Sequence, residues 1–266
     1  MPGRRLALAL PGPARTADPP PVVAGVEGQP VAANADRVTK ALALLGTPLA
    51  PATAKALQAA VDAADATAVQ AVLDPRVLFV VSINPEARVK VARGPGDATL
   101  QQAGYVPVLV KVVNESTVKK SLKVVSPQGG AVFSGRGDRE PTADLSGLKV
   151  EYAIALIYST QAGKREATVG FDLGQGNQDL GFRGEVPVLS DVKPAVAVKL
   201  KVVDADGTPT VGRFTFTDAA GHVYPPQAKR LAPDFFFQRQ VYRADPTAAP
   251  TPSTSTSTAS PPGSAT

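Results

Sequence analysis

The chain of 266 residues holds one histidine, no cysteine and no tryptophan. Without cysteine there is neither a disulfide nor a thiolate metal site. A catalytic zinc takes two or three His with carboxylates, and His222 stands alone. A Ser-His-Asp triad needs only one His. However, His222 lies in "DAAGHVYP", a hairpin-turn context, where it is expected to be an exposed turn residue. Asp172, Asn177 and Asp179 offer oxygens to Ca²⁺, but their spacing matches no calcium loop. Gly174, Gly176 and Gly181 look like part of a nucleotide loop. Their spacing departs from G-x-G-x-x-G and no helix pattern follows, so a glycine-punctuated loop is expected. Arg-Gly-Asp at 136–138 falls in a polar loop and carries no adhesion reading by itself.

One stretch has the composition of a contact surface. In "DFFFQRQVYR", Asp234–Arg243, strand alternation puts Phe236, Gln238 and Tyr242 on one face. They are the candidate binding or docking strand, for a sugar or a neighbouring domain. Phe235, Phe237, Arg239 and Val241 share the other face, so both faces are partly apolar, as in a strand covered on both sides. No catalytic, cofactor-binding or metal-ligating residue is assigned, and no cofactor or enzymatic activity is expected.

The elements that position these residues follow from periodicity. Residues 1–33 are expected to be a disordered leader or a degenerate signal peptide: Arg4 and Arg5 precede "LALAL", and Pro11 ends that run early. Export to the periplasm or outside is the expectation, and the cytoplasm the alternative. Residues 34–75 read as a short helical region. Asn34 is the expected N-cap, with Val38, Leu42 and Leu45 at helical spacing and Gly46 as the stop. Ala56, Leu57, Ala60 and Val61 form a second stripe, and Val69, Val72 and Leu73 a third. Asp65 or Thr67 separates the last two helices, and Pro75 closes them.

From residue 76 to 190 the period becomes two. Val77 to Ile83 is a buried strand, and Val89 and Val91 share a face of the next. Val108, Val110 and Val112 point one way, Leu109 and Lys111 the other. Leu122, Val124 and Ser126 share a face of the strand expected to return after the turn at Asn114. Leu148–Tyr158 and Glu166–Leu173 flank a hairpin turn near Gly163. The fold class expected is mainly β: antiparallel β-sandwich modules with a short N-terminal helical region and disordered termini.

Basic residues exceed acidic ones, 28 to 23, but they are scattered without interleaved aromatics, which points away from nucleic acid. No run approaches the ~20 apolar residues of a membrane span.

Residues 191–245 open a second β module. From Val202 to Gly221 the chain reads V-x-D-A-D-G-x-P-x-x-G-R-F-x-F-x-D-A-A-G. This resembles the start of the carboxypeptidase regulatory-like, transthyretin-type β-sandwich, with its closing strands missing. Several longer phrases, "VLDPRVLFVVSINPEARVKVARGP", "VLVKVVNESTV", "LKVVSP" and "RLAPDFFFQRQVYRADP", are similar to the non-catalytic N-terminal region of bacterial PHP-type metallohydrolases of the CehA/McbA kind. The similarity spans roughly residues 34–245. It implies a helical leader and β modules ahead of a His- and Asp-rich hydrolase domain. With one His here, no catalytic residue carries over.

Residues 246–266 form a Ser/Thr/Pro tract without any apolar side chain larger than Ala. It reads as a disordered tail or stalk, or as an out-of-frame or truncated end. The functional expectation is a non-catalytic accessory or interaction region of an exported metallohydrolase, cut short before the hydrolase domain. The alternative is a free-standing carbohydrate- or surface-binding β-sandwich protein. Expected partners are a catalytic or other protein domain, or a carbohydrate.

Overall fold

The computed structural model describes residues 19–129, 144–174, 183–197, 199–219, 221–224, 241–244 and 247–248. Three helices come first: α1 (Gly28–Leu44), α2 (Pro51–Asp62) and α3 (Ala66–Leu73). α1 buries Val31, Ala35, Val38 and Leu42, three or four residues apart, so one stripe faces the core. Its C-terminus is closed by Gly46 N–H to Ala43 C=O (3.1 Å) and Thr47 N–H to Leu42 C=O (2.9 Å). Gly46 sits at φ 78°, which glycine adopts without strain. Asp65 caps α3, its Oδ1 accepting from the N–H of Thr67 and Ala68. Leu57 and Ala60 of α2 are buried as expected, but Ala56 is exposed.

Two expectations at the N-terminal end are corrected. α1 starts at Gly28, so Asn34 is not its cap but a buried residue inside it. Residues 19–33 are not a structureless leader: Pro20 and Val31 are buried, and Val23 and Val26 pack on the helical core. Residues 19–27, ahead of α1, lack periodicity of their own. Hydrogen bonds to residues far along the chain hold them, and no local pattern signals those. Residues 1–18 lie outside the described part.

Strand outweighs helix among the described residues. The 3-10 turn Asp74–Arg76 leads into β1 (Val77–Ile83), followed by β2 (Val89–Arg93), β3 (Thr99–Gln101), β4 (Tyr105–Asn114), β5 (Lys123–Val125), β6 (Val150–Tyr158), β7 (Gly163–Asp172) and β8 (Glu185–Lys193). They make two four-stranded sheets, ordered β2-β1-β4-β6 and β3-β8-β7-β5. β1 pairs β4 in parallel, and β3 pairs β8 in parallel. The sheets are therefore mixed, which corrects the all-antiparallel expectation. The expected β4–β5 and β6–β7 hairpins are also corrected, because each puts its two strands in different sheets. Period-two alternation fixes which face a strand buries, not which neighbour it takes.

The faces are as the alternation dictates. Phe79, Val81, Val108, Val110 and Val112 of the first sheet share a cluster with Val169, Phe171 and Val188 of the second. Phe79 and Phe171 meet edge to face with centroids 5.4 Å apart, a favoured aromatic geometry. The opposite face of the first sheet puts Val80, Leu109, Val150 and Tyr152 against the helices. The first sheet thus lies between the helical layer and the second sheet.

Short strands follow: β9 (Lys199–Leu200), β10 (Val211–Phe214), β11 (Phe216–Thr217), β12 (Val223–Tyr224), β13 (Val241–Ala244) and β14 (Thr247–Ala248). They pair antiparallel as β10-β13, β11-β12 and β9-β14. The turn at Asp204 closes by Gly207 N–H to Asp204 C=O (2.9 Å), with Gly207 at φ 84°. β14 falls inside the expected 246–266 tail, so Thr247 and Ala248 are paired rather than free, because β9 supplies a backbone partner. Among the described residues, no helix is long and apolar enough to cross a membrane.

Candidate functional site

His222 sits where the sequence puts it, in the hairpin between β11 and β12. The turn closes by Gly221 N–H to Asp218 C=O (3.1 Å) and Asp218 N–H to His222 C=O (3.0 Å). Asp218 also holds the imidazole: its Oδ2 lies 2.8 Å from His222 Nδ1, and its Oδ1 accepts from the His222 backbone N–H at 2.9 Å. The Tyr224 hydroxyl donates to the same carboxylate. Partial burial, with the charge of Asp218, pushes that phenol above its ordinary pKa.

The hairpin rests on the loop between α1 and α2 through Val223 N–H to Gly46 C=O (2.8 Å). Beside this contact lies a cleft of about 500 Å³ between the helical layer, the first sheet and the hairpin. Leu42, Leu49 and Pro107 contribute its aliphatic wall, and Arg76, Asp97 and His222 its polar groups. Arg76 is braced by donating to Val72 C=O and to the Thr53 hydroxyl. Asp97 accepts from the N–H and the hydroxyl of Thr99. Cleft sites of this size commonly take small ligands or a protruding side chain.

Among the described residues, the largest concentration of buried polar groups lies elsewhere, under the helices. The Lys111 ammonium is fully buried and donates to Asp74 Oδ2 (2.8 Å), Gln70 Oε1 (3.0 Å) and Pro21 C=O (2.8 Å). An ammonium has three protons to give, and all are used. Tyr152 donates its hydroxyl to Asp74 Oδ1 at 2.7 Å. Gln70 completes the tie by pairing with both backbone groups of Val23. Burial pulls the Lys111 pKa down, opposed by Asp74. Burial beside Asp74 pushes the Tyr152 phenol well above its usual range. This cluster ties the 20–23 segment and α3 to the centre of the first sheet.

The other expected positions are scattered. Phe236 and Gln238 lie outside the described residues. Tyr242 lies in β13 opposite Arg213. Asp172 accepts from the Gly174 N–H at 2.8 Å, and Gly174 sits at φ 76°; Gly176, Asn177, Asp179, Gly181 and the tripeptide at 136–138 lie outside the described residues. Among the described residues, no three His, Cys, Asp or Glu side chains gather as a metal site. Sequence reasoning missed Arg76 and Asp97, which have no motif. It placed Lys111 on the correct face without seeing its burial. The signal was there: Lys111 is the only charge in the run "VPVLVKVV".

The chain matches no protein-family model, no curated protein and no solved structure.

Proposed function

We propose that this chain is a non-catalytic accessory region of an exported protein, which holds a neighbouring domain against the cleft at His222. The observation that carries this reading is the cleft itself: an aliphatic wall with a cation, a carboxylate and an imidazole around it. Such a surface suits a protruding apolar side chain flanked by charges. The buried ionic cluster supports the reading, because Lys111, Asp74 and Tyr152 spend their polar atoms on one another and on the chain. The resemblance noted above names the neighbour as a metal-dependent hydrolase domain. The cluster shared by the two sheets supports reading residues 76–190 as a β-sandwich, and the short antiparallel ladders of β9 to β14 support reading the following stretch as part of a transthyretin-type module.

The test starts from the DNA beyond the last codon. A His- and Asp-rich hydrolase sequence in any frame is expected. That domain, expressed separately, should bind the purified chain in calorimetric titration, and Arg76→Glu with Asp97→Lys should weaken binding at least tenfold. Unrelated downstream sequence, or binding indifferent to both substitutions, overturns the reading.

A second reading is a free-standing carbohydrate-binding protein. Tyr105 and Tyr158 favour it: their rings lie 5.0 Å apart at the end of the first sheet, and Tyr158 is 44% exposed. Neutral oligosaccharides should then quench tyrosine fluorescence, and Tyr158→Ala should abolish the response.

A further inference from the structure

The first sheet ends on β6, and that edge is unlike the others. β3 and β5 are three residues each. β2 carries Lys90 and Arg93, and its Val91 N–H is taken by Arg183 C=O at 2.8 Å. Short length and charge are the usual ways of blunting a sheet edge. β6 has nine residues, and from Ala153 to Tyr158 it reads "AIALIY", without charge, proline or glycine.

The register shows which backbone groups of β6 face outward. Asn114 N–H donates to Lys149 C=O, and in this ladder Val112 stands opposite Glu151 and Val110 opposite Ala153. Hydrogen-bonded pairs alternate along an antiparallel ladder, so the odd-numbered residues of β6 bond to β4. Tyr152, Ile154, Leu156 and Tyr158 turn their N–H and C=O away from the sheet. At Tyr152 the side chain of Asn34 satisfies both groups. No described residue bonds those of Ile154 and Leu156.

We propose that the open edge of β6 pairs with the same edge of a second copy, antiparallel, about a two-fold axis at Leu156. Leu156 then faces Leu156 of the other copy, and Ile154 faces Tyr158. The outward residues exchange N–H and C=O across the axis, and the two first sheets become one. A two-fold axis sets a strand against itself, so any charge near the centre would meet its own copy. This segment has none. Asn34 fixes the register, because it has already filled the edge at Tyr152 and stops the pairing from sliding that way. A two-fold interface of this kind closes on itself and does not propagate into a fibre.

Light scattering on the purified chain between about 1 µM and 1 mM should show the mass rising from 27.3 kDa toward twice that value. Leu156→Lys and Leu156→Glu should each remain monomeric, since like charges then face each other across the axis. Mixing the two should restore the dimer, because Lys now faces Glu. A wild-type chain that is monomeric throughout overturns the proposal, as does a dimer that tolerates Leu156→Lys, or folded variants that fail to pair on mixing. Should either variant fail to fold, amide hydrogen exchange of the wild type decides. Protection at Ile154 and Leu156 that grows with concentration supports the pairing. Fast exchange, or protection independent of concentration, overturns it.

Discussion

The side chain of Asn34 stands in for a strand beside Tyr152. Its Oδ1 accepts from the Tyr152 N–H at 2.6 Å, and its Nδ2 donates to the Tyr152 C=O at 3.0 Å. A carboxamide carries a donor and an acceptor at the spacing of a peptide group, so one residue of α1 satisfies both edge groups. Asn34→Ala strands a buried N–H and a buried C=O, each costing about 1–3 kcal/mol. Urea denaturation should show the variant roughly 2–4 kcal/mol less stable. A loss under 1 kcal/mol would mean that water replaces the amide.

Lys111 and Asp74 form an ion pair without solvent access to the ammonium. Removing one partner leaves the other charge buried. Lys111→Met should therefore cost about 3–5 kcal/mol, while Lys111→Met with Asp74→Leu should recover much of the loss. Equal destabilisation by the single and double variants would show that the pair is not the source.

The Tyr152 phenol adds a pH dependence. Its ordinary value is 10.0, and burial beside Asp74 raises it. Above pH 10 the unfolded chain releases that proton and the folded chain keeps it. The folded state then binds more protons, so stability falls as pH rises, by up to about 1.4 kcal/mol per unit. Lys111 acts in the opposite sense, because its pKa is lowered on folding: its ionised form costs stability at lower pH, and the cost is relieved as pH rises toward 10.5. Comparing the wild type with Tyr152→Phe isolates the phenol. Between about pH 9 and 11 the wild type should lose stability faster; parallel curves would refute the assignment.

Gly28 has no room for a side chain. A Cβ built there lies 1.7 Å from the carbonyl oxygen of Ala64 and 2.8 Å from its carbonyl carbon. That backbone is constrained, with Ala64 at φ 49° in the turn before α3. Gly28→Ala must push the start of α1 off the α2–α3 turn, at about 2–3 kcal/mol. Gly25→Ala is the comparison: nothing lies within 4 Å of its Cβ, although φ is 65°, so its cost should stay near 1 kcal/mol. Melting curves for the two variants check the contrast.

What the sequence made legible divides along a physical line. The faces of β1 and β4 could be read because alternation is local: Val108, Val110 and Val112 do bury together, and Leu109 does face the helices. The break between α2 and α3 at Asp65 or Thr67 was legible for the same reason, and the structure makes Asp65 the cap. Partners were not legible. Asn34 and Tyr152 are 118 positions apart, Asp74 and Tyr152 78, and Lys111 and Gln70 41. Nothing in the composition of either partner points at the other. The parallel pairing of β1 with β4 was hidden likewise, since both strands alternate the same way in either direction. His222 lies in the hairpin turn that the sequence indicates, but it is half-buried, and the cleft beside it depends on segments that meet only in the folded chain.

The distribution of strands between the sheets has a consequence for biosynthesis. β1, β2, β4 and β6 belong to one sheet, and β3, β5, β7 and β8 to the other. As the chain leaves the ribosome, the β1–β2 hairpin is, among the described strands, the only ladder that can close between consecutive strands before β7 and β8 appear. β4 waits for β6 on one side, and the Phe79 face waits for Phe171. Non-local pairing of this kind makes folding slow. The first sheet can close once β6 has emerged, but the second must wait for β7 and β8, and until then the valine-rich face of β4 is exposed to whatever else binds a nascent chain.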